Sequence, residues 1–250
     1  MQFGISTDKG LTRGINQDYY GLIKSEGNIP DTFIIADGMG GHNAGEVASK
    51  LSVEVALSYI KEHFNKNMTK KDLLKKLEEM MKYVNKKVYS ASLENKENNG
   101  MGTTLTVVMI VKNKMHIAHV GDSRVYLLRD DELEQITNDH SYVGELLRNG
   151  SITKEEAKKS SKKNVLTRAI GYLEDVDVDI YTNDIKNSDT VLMCTDGLTN
   201  MVEDKQIKDV LLTKDKPQDV TDFLIEKSNE NGGTDNTTII VFNGVNINGR

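Results

Sequence analysis

Four aspartates in this chain share one setting. The stretches "FIIADG", "IAHVGD" and "VLMCTDG" each run an apolar strand into Asp37, Asp122 or Asp196 beside a glycine, and "GGTDNTTIIVF" places Asp235 just ahead of another strand. A single Asp-Gly pair is an ordinary turn signal. Three strands ending this way and a fourth beginning so could bring their carboxylates to one end of a sheet stack, where like charges at close range are costly. A cation is the usual remedy. The set is all oxygen with no clustering of His or Cys, which points to Mg²⁺ or Mn²⁺ over Zn²⁺. Gly38, having no side chain, could bring its carbonyl close to such an ion. A nucleotide site does not fit, because "GMGGHN" lacks the third glycine of GxGxxG and no Walker A sequence occurs.

The elements that must position these residues follow from periodicity. Val47, Leu51, Val55 and Ser58 or Tyr59 recur at helical spacing, which predicts a helix over 44–64. Thr69 and Asp72 have capping-box spacing ahead of a second helix with the stripe Leu73, Leu77, Met80, Val84, Val88, Ala91. From Thr103 to Thr137 the signal turns to strand, "TTLTVVMIV", "KMHIAHV", "VYLLR" and "LEQIT", read as an antiparallel meander. Residues 141–165 are polar and Lys-rich, with a weakly helical "TKEEAKKSSKK". Strands return at 189–195 and 237–242, with helical spacing in "EDKQIKDVLL" and "DVTDFLIEKSNE" between them. Paired strands with two helices early and two late argue for an α+β domain with helices outside packed antiparallel sheets.

Composition narrows the function. With 250 residues, 37% hydrophobic, the chain suits one large domain, 1–250, with a sizeable core. A net charge of −6 with dispersed Lys and Arg speaks against nucleic acid as a partner. The N-terminus lacks a signal-peptide pattern and "VVMIV" is too short to span a bilayer, so membrane insertion is not expected and the expected location is the cytoplasm. The single cysteine, Cys194, excludes an intramolecular disulfide and a Cys metal cluster, and reads as a small apolar strand residue.

The motifs "RGINQD", "ADGMGGH", "MGTT", "VGDSR", "TNDHS", "LTRAIG", "MCTDGLTN" and "GGTDNTT" stand in the order and approximate spacing of the type 2C metal-dependent serine/threonine protein phosphatases. The chain resembles the bacterial branch over nearly its whole length. The resemblance implies a central antiparallel β-sandwich flanked on both faces by helix pairs, with a site for two Mn²⁺ or Mg²⁺ ions at one end. Carried over by position, Asp37 would bridge both ions, Gly38 would lend its carbonyl to one, Asp196 and Asp235 would hold the other, and Asp18 would act through metal-bound water. Asp122, with Asp196, matches the family's third, weaker ion. Arg13 stands at the phosphate-binding position, where a planar guanidinium matches two phosphate oxygens better than lysine. Asn16 and Gln17 would support the site.

The implied activity is hydrolysis of phosphoserine and phosphothreonine in proteins by direct attack of a metal-bridging hydroxide, opposing a bacterial Ser/Thr kinase. A catalytically weak phosphoprotein-binding module and a two-metal hydrolase of small phosphoesters are the alternatives. Animal members place a histidine directly after the DG pair, where this chain has Met39, so that general acid does not transfer and nearby His42 is the candidate. His116 and His119 on a strand, His63 on a helix and His140 at a loop read as structural. Thr103, Thr104, Ser123 and Arg168 match motifs with a structural or a direct role open. The family's mobile flap falls at 141–165, where Arg148, Lys154, Lys158, Lys159, Lys162 and Lys163 outnumber Glu145, Glu155 and Glu156.

Overall fold

The computed structural model describes residues 1–24, 27–40 and 44–244. Along the chain run β1 (Phe3–Asp8), β2 (Asp18–Ile23), β3 (Asp31–Met39), α1 (Ala44–His63), α2 (Lys70–Glu94), β4 (Gly102–Thr103), β5 (Leu105–Val111), β6 (Lys114–Val120), β7 (Arg124–Arg129) and β8 (Glu132–Gln135). There follow α3 (Tyr142–Arg148), α4 (Lys154–Lys159), β9 (Asp179–Asp184), β10 (Thr190–Cys194), α5 (Asp196–Thr199), α6 (Asp204–Thr213), α7 (Pro217–Glu230) and β11 (Thr237–Asn243). Two antiparallel sheets face each other, one ordered β1-β11-β10-β7-β8, the other β2-β3-β5-β6-β9 with β4 on the far end of β3.

Alternation along each strand explains the layers. Phe33 and Ile35 point between the sheets, where Val108, Ile117, Val125, Met193, Ile240 and Phe242 meet them; the Phe33 and Phe242 rings stack at 4.2 Å. Ile34 and Ala36, on the other face of β3, pack under α1 and α2, while Leu192, Ile239 and Val241 pack under α6 and α7. Both faces of the central strands are therefore buried, which is why they read as unbroken apolar runs.

Three expectations change. The segment 103–137 is not one meander: β5 and β6 pair in one sheet, β7 and β8 in the other. The chain changes sheets at Gly121–Ser123, around Asp122, a crossing that β propensity does not record. The buried side of α1 is also not the Val47 stripe. Val47 is exposed, and the face against the sheet is Gly45, Ala48, Ser49, Ser52, Val53, Ala56 and Ile60. Small residues are needed there because α1 lies almost on β3, and a Cβ on Gly38 would overlap the Gly45 carbonyl. Leu51, Val55 and Tyr59 instead pack at the edge of the cluster shared with α2. The segment 141–165 holds two helices, with "TKEEAKKSSKK" helical only over Lys154–Lys159 behind a Thr153–Glu156 capping box. The second helix keeps its stripe, and Thr69 caps it by accepting from the Asp72 N–H.

His119 and His116 are structural, as read. His119 is fully buried; its Nε2 lies 3.1 Å from the Asn138 carbonyl and so carries the hydrogen, leaving Nδ1 to accept from the Thr106 hydroxyl at 2.8 Å. Burial pushes its pKa down to about 4. The unfolded ring titrates near 6.5 and takes up its proton first, so the stability of the neutral ring is fully present above that value and is lost as pH falls through 4. The lost stability is of the order of 3 kcal/mol. His119→Gln should therefore have a shallower loss of unfolding free energy between pH 6.5 and 4 than the wild type in urea titrations; parallel pH profiles would contradict the buried neutral ring.

Candidate metal centre

Asp18 opens β2 directly opposite Asp37 on β3, so register alone sets two carboxylates side by side. Asp37 lies inside its strand, because β3 continues through Gly38 to Met39 and is not broken by a turn. The Asp37 N–H donates to Thr104 Oγ1 at 2.9 Å, and its carbonyl accepts from Thr104 N at 2.9 Å and Thr103 Oγ1 at 2.8 Å. Thr104 Oγ1 is also 2.8 Å from Ser123 Oγ, which ties the Asp37 backbone to the crossing that carries Asp122. Thr103, Thr104 and Ser123 thus hold the site from behind.

The other sheet contributes Asp196, first residue of α5, and Asp235, two residues before β11. Thr195 Oγ1 donates to Asp18 Oδ2 at 2.8 Å and accepts from Thr238 N at 2.9 Å, joining the two sheets. Asn200 Nδ2 donates to Asp196 Oδ2 at 2.9 Å. Asn236 staples the Arg13 loop to β11: its Nδ2 donates to the Lys9 and Ile15 carbonyls, both at 2.9 Å, and its Oδ1 accepts from Gln17 N at 2.8 Å. Asn16 fixes Asp18 by accepting from its N–H at 3.1 Å. The glycines beside the aspartates serve close packing. A Cβ on Gly197 would overlap the Asn236 carbonyl, and Gly121, at φ +115°, would meet Thr104.

Asp37, Gly38, Asp122, Asp196 and Asp235 line one pocket of about 210 Å³ with Arg13, Gln17, Met39, Gly40, Thr104, Asn164, Leu166 and Asn236. The structure therefore brings together every described residue expected at the site except Asp18, which is buried behind its wall. His42 lies outside the described residues. Arg13 is half-exposed at the rim, with its Nη2 at 2.8 Å from Asp235 Oδ2. Thr195, Asn200 and Asn236 were missed as supports; the first stands in "TDG" and the second four residues beyond Asp196, within hydrogen-bonding reach on one helical turn. Asn164 and Leu166 carry no sequence signal for a pocket wall.

The electrostatics ask for a counter-charge. Burial, then the neighbouring carboxylates, hold Asp37 well above the usual carboxylate range. Burial raises Asp122 likewise, and Asp18 to about 7 against the opposing bonds from Thr238 and Thr195. Asp196 is also raised, by burial first and then by the charge of Asp235. Asp18 Oδ1 is buried without a partner. Among the described residues no three His, Cys, Asp or Glu side chains close around a common point, since Asp235 is turned onto Arg13, Asp18 onto Thr195 and Asp196 onto Asn200. An all-oxygen set with an orphaned buried acceptor fits a hard divalent cation that completes its coordination with water.

A two-sheet sandwich closing on buried carboxylates beside an arginine defines a metal-dependent phosphoester hydrolase. The chain belongs to the protein phosphatase 2C family, whose model matches residues 12–232. It is 41% identical over 241 residues to the serine/threonine phosphatase stp of Listeria welshimeri, covering 96% of this chain and 95% of that one. It is 35% identical to the protein phosphatase PhpP of Streptococcus pneumoniae, covering 96% of each. The crystal structure of Stp1 from Staphylococcus aureus superposes with a TM-score of 0.90 at 34% identity, covering 97% of this chain and 94% of the other. The PstP catalytic domain in complex with two manganese ions superposes at 0.84 and 34% identity, covering 98% of each.

Asp37→Asn removes one charge from a set of crowded, buried carboxylates. In chelator the variant should melt about 2–4 °C above the wild type, the equivalent of about 1 kcal/mol, and Mn²⁺ should no longer raise its Tm. A lower Tm in chelator together with a full Mn²⁺ shift in scanning calorimetry would contradict the reading.

Proposed function

We propose that this chain, a metal-dependent protein serine/threonine phosphatase, holds two Mn²⁺ or Mg²⁺ ions between Asp37, the Gly38 carbonyl, Asp196 and Asp235, with Asp18 acting behind them and Asp122 offering a third, weaker position. The observation that supports this most is the convergence of Asp37, Asp122, Asp196 and Asp235 in one pocket with Arg13 at its rim. When bound, the cations acidify water into a nucleophile at neutral pH and neutralise charge on the phosphoryl oxygens.

The chain's own groups supply the rest. Arg13 presents paired donors to two phosphate oxygens; its present partner, Asp235, is the carboxylate it would give up as cation and phosphate arrive together. The Thr103, Thr104 and Ser123 bonds hold Asp37 without spending its carboxylate oxygens. His42 is the proposed donor to the leaving serine or threonine oxygen. Cys194, buried and with its thiol pushed up by burial, has no nucleophilic part. The whole chain acts as a single phosphatase domain. Segment 141–165 serves as the flap, its last turn reaching the pocket at Asn164, with Leu166 just beyond it in the same wall.

Phosphoproteins are the substrates, and a bacterial Ser/Thr kinase that makes them is the proposed counterpart. Among the described residues no helix is long and apolar enough to cross a membrane, and the cytoplasm is the proposed location. Hydrolysis of a phosphothreonine peptide should require Mn²⁺ or Mg²⁺ and exceed that of nucleotides in kcat/KM. No turnover with either ion would favour a binding module, and preference for nucleotides a small-phosphoester hydrolase. Arg13→Ala should raise KM for the peptide by roughly tenfold or more, the worth of a charge-assisted clamp, while lowering the Mn²⁺ concentration for half-maximal activity because Asp235 is freed. Arg13→Lys should recover only part, and an unchanged KM in steady-state kinetics would remove Arg13 from the phosphate.

A further inference from the structure

We infer that His140 is a positioning residue: its buried ring ties the sheet-crossing turn at Gly121–Asp122 to Asp179 and its main chain ties the same turn to the closed ends of segment 141–165, so that the seat of Asp122 and the pocket wall at Asn164 and Leu166 are set together.

The crossing needs such a lock. Gly121 follows the last residue of β6 and Arg124 opens β7 in the opposite sheet, so the turn between them lies outside both ladders. Its left-handed Gly121, crowded by Thr104, admits no side chain. Both polar groups of Gly121 go to one residue: its N–H donates to His140 Nδ1 at 3.1 Å and its carbonyl accepts from His140 N at 2.8 Å.

The far side of the same ring faces Asp179, the first residue of β9. Because Nδ1 accepts, Nε2 carries the hydrogen and donates to Asp179 Oδ2 at 3.2 Å. Asp179 Oδ1 accepts from Arg168 Nη1 at 2.7 Å, and its Oδ2 also from the Tyr181 hydroxyl at 3.0 Å. Arg168 stands on the extended chain leaving the flap. There the Thr167 N–H donates to the His140 carbonyl at 2.9 Å, Ser141 bridges Leu166, and the Tyr142 N–H donates to the Val165 carbonyl at 2.8 Å. The His119 ring packs at 4.8 Å and closes the pocket around His140, which is 1% exposed. A histidine serving only to fill space would not need its two nitrogens committed to two different parts of the chain.

The part of this inference that concerns metal rests on Asp122 being a metal carboxylate, and its test keeps the two apart. His140→Asn retains an acceptor near the Nδ1 position and cannot reach Asp179; His140→Gln reaches toward Asp179 and has no acceptor near Gly121; Asp179→Asn weakens the flap side alone. Amide hydrogen exchange of the full chain, resolved by NMR, should show the Gly121 amide roughly tenfold or more faster in His140→Gln with Thr167 and Arg168 little changed. His140→Asn and Asp179→Asn should show the reverse. Mn²⁺ calorimetry should find the weaker binding step lost in Asp122→Asn and weakened in His140→Gln. Uniformly faster exchange in all variants, or a Gly121 amide indifferent to His140→Gln, would overturn the lock. If neither histidine variant folds, the Asp179→Asn exchange pattern decides. Unchanged Mn²⁺ binding in Asp122→Asn would remove the metal role of Asp122 and leave the exchange pattern to judge the lock.

Discussion

Asp18, Asp37, Asp122 and Asp196 are held together against their mutual repulsion and against the loss of their hydration, and most of the local structure exists to make that possible. Carboxylates in such a setting keep their protons or acquire a cation. In the structure burial and crowding push Asp37 and Asp196 toward their protonated forms, and a guanidinium sits on Asp235. Each is weaker than a divalent ion in the same place, which is what makes the pocket a receptor for one.

The sandwich supplies the force that opposes the repulsion. The apolar layer around Phe33 and Phe242 presses the two sheets together, and the polar stitches lie at the end of that layer where the carboxylates emerge. Thr195 bonds across from one sheet to Asp18 on the other, and Thr104 reaches from Asp37 to Ser123. Glycines at 38 and 197 let backbone approach backbone, and Gly121 lets the crossing close over the Thr104 side chain, where any added side chain would overlap. The site is thus built from main-chain proximity: Thr103, Thr104 and Asn236 bond to backbone around it, while Thr195 and Asn200 each take one carboxylate oxygen, of Asp18 and of Asp196.

How much of this could be read in advance depended on whether the cause was local. Asp37, Asp122, Asp196 and Asp235 were visible because each follows or precedes an apolar run. Asp18 was visible only through the family resemblance, since "NQDYY" carries no such run. Thr195 and Asp18 are separated by 177 positions, and no pattern in either neighbourhood announces the other. The sheet change at Gly121 was hidden because β6 and β7 have equal strand character whichever sheet they join. The face of α1 was misread because hydrophobicity ranks Val47 above Ala48 and Ser52, while the close approach of α1 to β3 admits only the smaller side chains.

The central claim, that divalent cations neutralise the carboxylate pocket and displace the arginine from Asp235, is tested most directly by anomalous diffraction from crystals soaked in Mn²⁺. The expected result is two strong peaks inside the pocket bounded by Asp37, the Gly38 carbonyl, Asp196 and Asp235, with Arg13 withdrawn from Asp235. A pocket without anomalous density at saturating Mn²⁺, with the Arg13–Asp235 pair intact, would contradict it.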